Sequence, residues 1–327
     1  MQYRALGRTG LKVPEVSLGC MAFGRWIEKD QSFRVMDAAL DSGMNLFDTA
    51  DVYGRGMDIG DPTQSGESET IIGEWFKQEG KRDRVVLATK VHGKVGTGTN
   101  DSGQSRYHIM RAVENSLRRL QTDYIDLYQV HRFEEETPLE ETLEALSDLV
   151  RQGKVRYIGC SNYAAWQIAK AHGISALNKL HRYESVQPQY SILAREIENE
   201  LLPFCASEKV GVIVYSPLGR GLLTGKYRSG EQAPEGTRGA KGEKRLQLLM
   251  EEEGTFEIVA GLQKLADERG WTLAQFALGW VLSNPVITSA IMGVSRPEQI
   301  SDAIKHLPER LTQEELQAVD RISRARK

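Results

Sequence analysis

The chain has 327 residues, 40% of them apolar, enough for one large domain with a sizeable core. Its formal net charge of −3 argues against a phosphate-backbone partner, because nucleic-acid binders carry a basic field, whereas a small anionic ligand needs only a local basic spot. No apolar run approaches the length of a membrane span, and the opening residues MQYRALGRTGLKV lack the apolar stretch of a signal peptide, so a cytoplasmic protein is expected.

In chain order, YRALGRTGLKVP (3–14) has the pattern of a hairpin that turns between Gly7 and Gly10. Eight strand-like runs follow: VSLGC (16–20), MNLFD (44–48), VVLATK (85–90), IDLYQVH (125–131), VRYIGCS (155–161), ESVQPQ (184–189), GVIVYS (211–216) and VITSAIMG (286–293). Most are apolar on both faces, as a parallel sheet covered by helices requires. Amphipathic stretches separate them. The stretch from Pro138 to Gln152 sets Leu139, Leu143, Leu146 and Val150 on one stripe. Thr137 is its expected N-cap, Pro138 its first-turn proline and Glu140 its capping-box acid. Gly153 and Gly43 stand where left-handed residues end helices. Residues 54–66 and 219–252 are expected to be the longest irregular pieces, with Glu251–Glu253 and the Arg–Lys cluster in 238–245 as solvated faces. TQEELQAVDRI is a terminal helix begun by Thr312, with Glu315 three residues on.

Eight such units predict a closed (β/α)8 TIM barrel with long loops at its C-terminal face. No linker divides the chain, so residues 1–327 are expected to form a single domain. The alternative is an open doubly wound sheet. No GxGxxG follows the first strand, and the candidate polar residues come from many strand ends instead of one crevice.

Those residues are Asp48, Tyr53, Lys90 and His131, each at or just beyond a strand end. A phenol is too weak an acid for neutral pH, and a nearby ammonium such as Lys90 favours its phenolate. Asp48 can keep Lys90 charged and oriented. His131 can hydrogen-bond a substrate oxygen or pass a proton. Each residue alone has a plainer reading: a strand-end turn for Asp48, a packed loop aromatic for Tyr53, a structural histidine for His131. Lys90, closing an apolar strand, needs a partner if buried. His92 is expected at the rim of the site, and His108, His172, His181 and His306 in solvent. No histidine pair has metal-ligand spacing, and Cys20, Cys160 and Cys205 give neither a zinc pattern nor a disulfide framework, so no metal is expected.

DTADVYG, GxSE at Gly66–Glu69, LATK, DLYQVH, IGCSN, QPQYS and YSPLGRGLLTGK together resemble the aldo-keto reductases across essentially the whole chain. The resemblance implies that the hairpin plugs the bottom of the barrel and that Asp48, Tyr53, Lys90 and His131 are catalytic. It also implies an NAD(P)H-dependent oxidoreductase, with Tyr53 as general acid/base, acting on a small aldehyde, ketone or sugar. Ser161, Asn162 and Gln187 would hold the nicotinamide carboxamide, and Tyr215 would stack on the ring. Ser216, Pro217, Leu218 and Gly221 would begin a loop over the pyrophosphate, with Lys226 and Arg220 near its charge.

In IMGVSRPEQI, Gly293 ends a strand and Ser295 with Glu298 would cap the next helix. Arg296 would grip a ribose 2′-phosphate there, favouring NADP(H) over NAD(H). This segment departs from better-known members, some of which carry Lys, Arg and Asn at the positions of Gly293, Gln299 and Ala303. Others carry Arg at the position of Ser295, so phosphate selectivity rests on Arg296. Met21, Phe23, Trp26 and residues 54–66 are expected to wall the substrate pocket. Barrels of this kind also serve as channel-associated β subunits that hold NADPH with little turnover, which is the rival reading. A lyase using Lys90 as a Schiff-base amine is a third.

Overall fold

The computed structural model describes residues 1–307 and 309–324, so the expected domain end at 327 lies outside the described residues. Ten strands are present among the described residues. β1 (Tyr3–Ala5) and β2 (Lys12–Pro14) form an antiparallel hairpin. β3 (Val16–Gly19), β4 (Leu46–Asp48), β5 (Val86–Val91), β6 (Ile125–Val130), β7 (Val155–Ser161), β8 (Ser185–Gln187), β9 (Gly211–Tyr215) and β10 (Ile287–Gly293) form the barrel. Each pairs in parallel with the next, and β10 closes the ring by pairing with β3. All eight expected strands are therefore present in the expected order, with helices between them, and the fold is a (β/α)8 barrel.

The period of two along each strand decides where the site sits. Leu46, Ala88, Leu127, Ile213 and Ile291 point into the barrel and pack against Leu6 and Val13 of the hairpin. The alternate residues Phe47, Leu87, Tyr128 and Val212 belong to the larger core beneath the helices. Two residues beyond Leu46, Ala88, Leu127 and Ile213 stand Asp48, Lys90, Gln129 and Tyr215. The same parity that buries the plug thus carries polar groups to the C-terminal mouth. Gly7 seats the hairpin: its φ is +58°, and a Cβ there would lie 2.7 Å from the carbonyls of Glu184 and Lys209.

Local expectations fared unevenly. The helix Leu139–Arg151 forms, but Pro138 is its N-cap and no side chain caps it. Pro138 is extended (φ −55°, ψ 134°), so the helix starts one residue later than Thr137 requires, and the Thr137 hydroxyl donates to Glu134 instead. The terminal helix Gln313–Ser323 has the expected box between Thr312 and Glu315. Gly43 and Gly153 take the left-handed conformation. Residues 219–252 are not irregular throughout. They contain a 3-10 segment, Gly219–Thr224, and a helix, Lys244–Glu251, capped by the Glu243 side chain at Leu246 N. Leu246 buries that helix against the core, with Leu249 and Met250 partly buried beside it. Phe23 is fully buried in the core instead of walling the pocket, and His108 is buried where solvent was expected. Among the described residues no helix is long and apolar enough to cross a membrane.

Candidate active site

The end of β5 brings the Lys90 ammonium into the barrel mouth with no exposed surface. An ammonium there must be compensated. Its Nζ donates to Asp48 Oδ1 at 2.5 Å and to the Thr49 carbonyl at 2.9 Å, and lies 3.4 Å from the Tyr53 hydroxyl. Burial alone would lower the Lys90 pKa, but Asp48 and Tyr53 together leave it raised, so the ammonium persists. The second oxygen of Asp48 accepts from Gln187 Nε2 at 2.7 Å and Gln129 Nε2 at 3.2 Å. His131 meets Tyr53 edge-on, ring centroids 5.8 Å apart.

The protonation states differ from the sequence expectation in one respect. Lys90 does pull the Tyr53 phenol downward, yet burial outweighs it and holds the phenol above its ordinary value. Tyr53 is thus a protonated donor at neutral pH. Burial likewise pushes His131 well below the usual imidazole range, helped by Lys90, His92, Arg132 and Arg245. His131 is a neutral imidazole.

These groups open into a cavity of about 760 Å³. Asp48, Tyr53 and His131 line it together with Ser161, Asn162, Gln187 and Tyr215, and it continues past Ser216, Pro217, Leu218, Gly221 and Lys226 to Gly293 and Gln299. The Aldo/keto reductase family model matches residues 15–324. The chain belongs to the aldo/keto reductase family. A protein described as an uncharacterized oxidoreductase of Bacillus subtilis is 42% identical over 98% of this chain and 96% of its own length. The versiconal hemiacetal acetate reductase of Aspergillus parasiticus is 35% identical, over 98% of this chain and 96% of its own. A probable voltage-gated potassium channel subunit beta of Arabidopsis thaliana is also 35% identical, over 93% and 90%.

Aldo/keto reductases use nicotinamide cofactors, and the donor set along this cavity suits one. Asn162, left-handed at φ 58°, donates its amide to the His131 carbonyl and to Ser161 Oγ, and accepts from the Tyr215 hydroxyl at 2.9 Å. Ser161 donates to the Gln187 carbonyl at 2.7 Å. An amide and an aromatic face therefore sit beside the tetrad. Farther along, Arg220, Lys226 and Arg238 supply cations. Gly293 has no side chain to block the groove, and a Cβ there would lie 3.1 Å from Arg238 Nη2.

Several expected roles need adjustment. Gln187 spends its amide nitrogen on Asp48. Ser295 does not cap a helix: the helix Glu298–Ile304 has Pro297 as its N-cap, and the Gln299 side chain accepts from the backbone N–H groups of Ser295 and Arg296. Gln299 and Gly293 line the cavity, whereas Ser295 and Arg296 lie outside its lining. Met21 and Met57 line it, but Trp26 does not. Trp26 is instead overlaid by Arg25, Arg238 and Lys241, the nearest guanidinium 4.2 Å from its ring. His92 is at the wall as expected, and its Nε2 accepts from Arg132 Nε at 3.2 Å. Gln129 is a further residue of the site, and an amide inside an apolar strand is the signal of its buried partner. Arg132, Thr272 and Asp302 on the wall carry no local pattern, whereas Arg238 and Arg245, expected on a solvated face, line the cavity instead.

Proposed function

We propose that this chain, as one domain spanning residues 1–327, is a cytoplasmic NADP(H)-dependent carbonyl reductase. Its substrate is a small aldehyde, ketone or sugar. The observation that carries this reading is the buried Lys90–Asp48 pair reaching Tyr53 beside His131 at the mouth of a long cavity.

A nicotinamide cofactor held along this cavity would supply the hydride that reduces the carbonyl carbon. Tyr53 gives its phenolic proton to the carbonyl oxygen as the C=O bond becomes C–O–H. Because burial keeps Tyr53 protonated, it enters reduction as an acid, and the adjacent Lys90 ammonium stabilises the phenolate left behind. Asp48 keeps that ammonium in place. Neutral His131 can donate a hydrogen bond to the same oxygen and orient the carbonyl. In the reverse direction the phenolate accepts the alcohol proton. A proton taken up from solvent restores the Tyr53 phenol after each turnover.

Asn162 and Ser161, with the Gln187 oxygen, would hold the carboxamide, and Tyr215 would cover the ring. Ser216, Pro217, Leu218, Gly221 and Lys226 would lie along the pyrophosphate. Gly293, Ser295, Arg296 and Gln299 would meet the 2′-phosphate end. The preference for NADP(H) over NAD(H) rests on Arg296, which is exposed, and on rotation of Gln299 away from the two N–H groups it now occupies. The test is transfer of label from nicotinamide deuterated at C4 to the carbonyl carbon of an aldehyde panel. Recovery of deuterium in the alcohol supports the reading. Tight cofactor binding with no labelled product across the panel supports the second reading, a regulatory subunit with little turnover, which the relatives named as channel subunits favour.

A further inference from the structure

We infer that Arg132 and Arg245 form an anion-binding pair at the reacting end of the cavity, so that the carbonyl substrate carries a carboxylate or phosphate. This deepens the reductase reading and rests on it.

Although the chain is net acidic, the lining of this cavity is basic: its acids are Asp48 and Asp302, against Arg132, Arg220, Lys226, Arg238 and Arg245. Asp48 is committed to Lys90, Gln129 and Gln187. Three of the cations have evident work away from the reacting atoms. Lys226 stands beside Gly221, Arg238 beside Gly293, and Arg220 is paired with Glu243 at 3.5 Å. Arg132 and Arg245 are different. Both are exposed, both line the cavity, and neither forms an ion pair among the described residues.

Their placement is on the substrate side. Arg132 directly follows His131, and its Nε is fixed on His92 Nε2, which leaves the terminal guanidinium nitrogens available. The same nitrogen lies 3.4 Å from Glu134 Oε2, to which it cannot also donate. Arg245 comes from another direction, in the first turn of the helix Lys244–Glu251, where the Glu243 cap fixes its backbone. Both line the same cavity as His131, and both add to the depression of this imidazole that burial chiefly causes. Unpaired guanidiniums from two elements beside a cluster of positive groups favour an anion, and their planar forks match carboxylate or phosphate oxygens.

The experiment compares matched pairs with NADPH: benzaldehyde against 4-carboxybenzaldehyde, and glyceraldehyde against glyceraldehyde 3-phosphate. It uses the native protein, Arg132→Gln and Arg245→Gln. The expected result is a kcat/KM ratio favouring the charged member, falling about tenfold in each variant and shrinking as salt rises. The two pairs separate a carboxylate from a phosphate preference. Neutral members reduced as well as charged ones, with the ratio unmoved by both substitutions, overturns the inference and leaves the reductase reading standing. Turnover of no member overturns the reductase reading. Calorimetric titration of the NADPH complex with 4-(hydroxymethyl)benzoate and with benzyl alcohol then decides the anion pair: selective binding of the acid, lost in Arg245→Gln, supports it, and equal binding or none overturns it.

Discussion

Gln187 Nε2 donates to Asp48 Oδ2 at 2.7 Å, so a strand from the far side of the barrel holds the carboxylate that anchors Lys90. Gln187→Leu removes that donor and leaves a buried oxygen with only the longer bond from Gln129. A stability loss of about 1–3 kcal/mol is expected, read as a lower urea midpoint at unchanged slope. An unchanged midpoint would mean that Gln129 alone satisfies Asp48.

Lys90 and Asp48 should behave as one unit. Lys90→Met leaves the buried Asp48 carboxylate uncompensated, which is expected to lower stability by about 3–5 kcal/mol. Adding Asp48→Asn to that variant should recover much of the loss, because the orphaned charge is gone. Additive losses in the double variant, measured by the same denaturation, would contradict the coupling.

Asp51 gives a pH signature with a definite sign. It is fully buried, and burial, helped by nearby Glu69, pushes its pKa well above the ordinary value of 3.8, outweighing Arg119 and the backbone N–H groups of His92 and Val52. Above pH 3.8 and below the folded value, the native state binds a proton that the unfolded chain does not. Stability is therefore lost as pH rises through that window. Asp51→Asn removes the dependence and should be the more stable protein at pH 8, with the gap closing toward pH 4. Parallel stability curves for the two proteins would refute it.

His131 contributes the opposite slope. Its folded pKa is depressed well below 6.5, chiefly by burial, so the unfolded chain takes up the proton first. Stability is present above pH 6.5 and falls on acidification below it. His92, His108 and His172 add to the same trend. In His131→Asn the acid-side slope between about pH 6.5 and 5 should be shallower. A slope as steep as the native one would show that the other three imidazoles carry the effect.

The barrel was legible because apolar runs punctuated by helix periodicity fix strand order, and closure follows from eight of them. The tetrad was legible because Asp48, Lys90 and His131 stand at or just past strand ends, and Tyr53 follows five residues after Asp48. What escaped depended on contacts between distant segments. Thr137 looked like a cap, but the extended backbone of Pro138 moved the helix start. Residues 244–251 fell inside the irregular stretch expected at 219–252, because the core that buries Leu246 is not shown by the local sequence. Tyr53 looked like a phenol lowered by Lys90. The depth of the barrel mouth, invisible in the sequence, reverses that balance. Arg132 carries no motif and Arg245 belongs to a charged run, and only the fold brings both to the same cavity.

The most direct measurement is consumption of NADPH, in parallel with NADH, by the native protein and Tyr53→Phe across neutral and anionic aldehydes. Cofactor binding is followed separately by fluorescence. The account predicts turnover by the native protein, better with NADPH, and a loss on the order of 10²–10⁴-fold in the variant with cofactor binding retained. A Tyr53→Phe protein that reduces the same aldehydes at the native rate would contradict it.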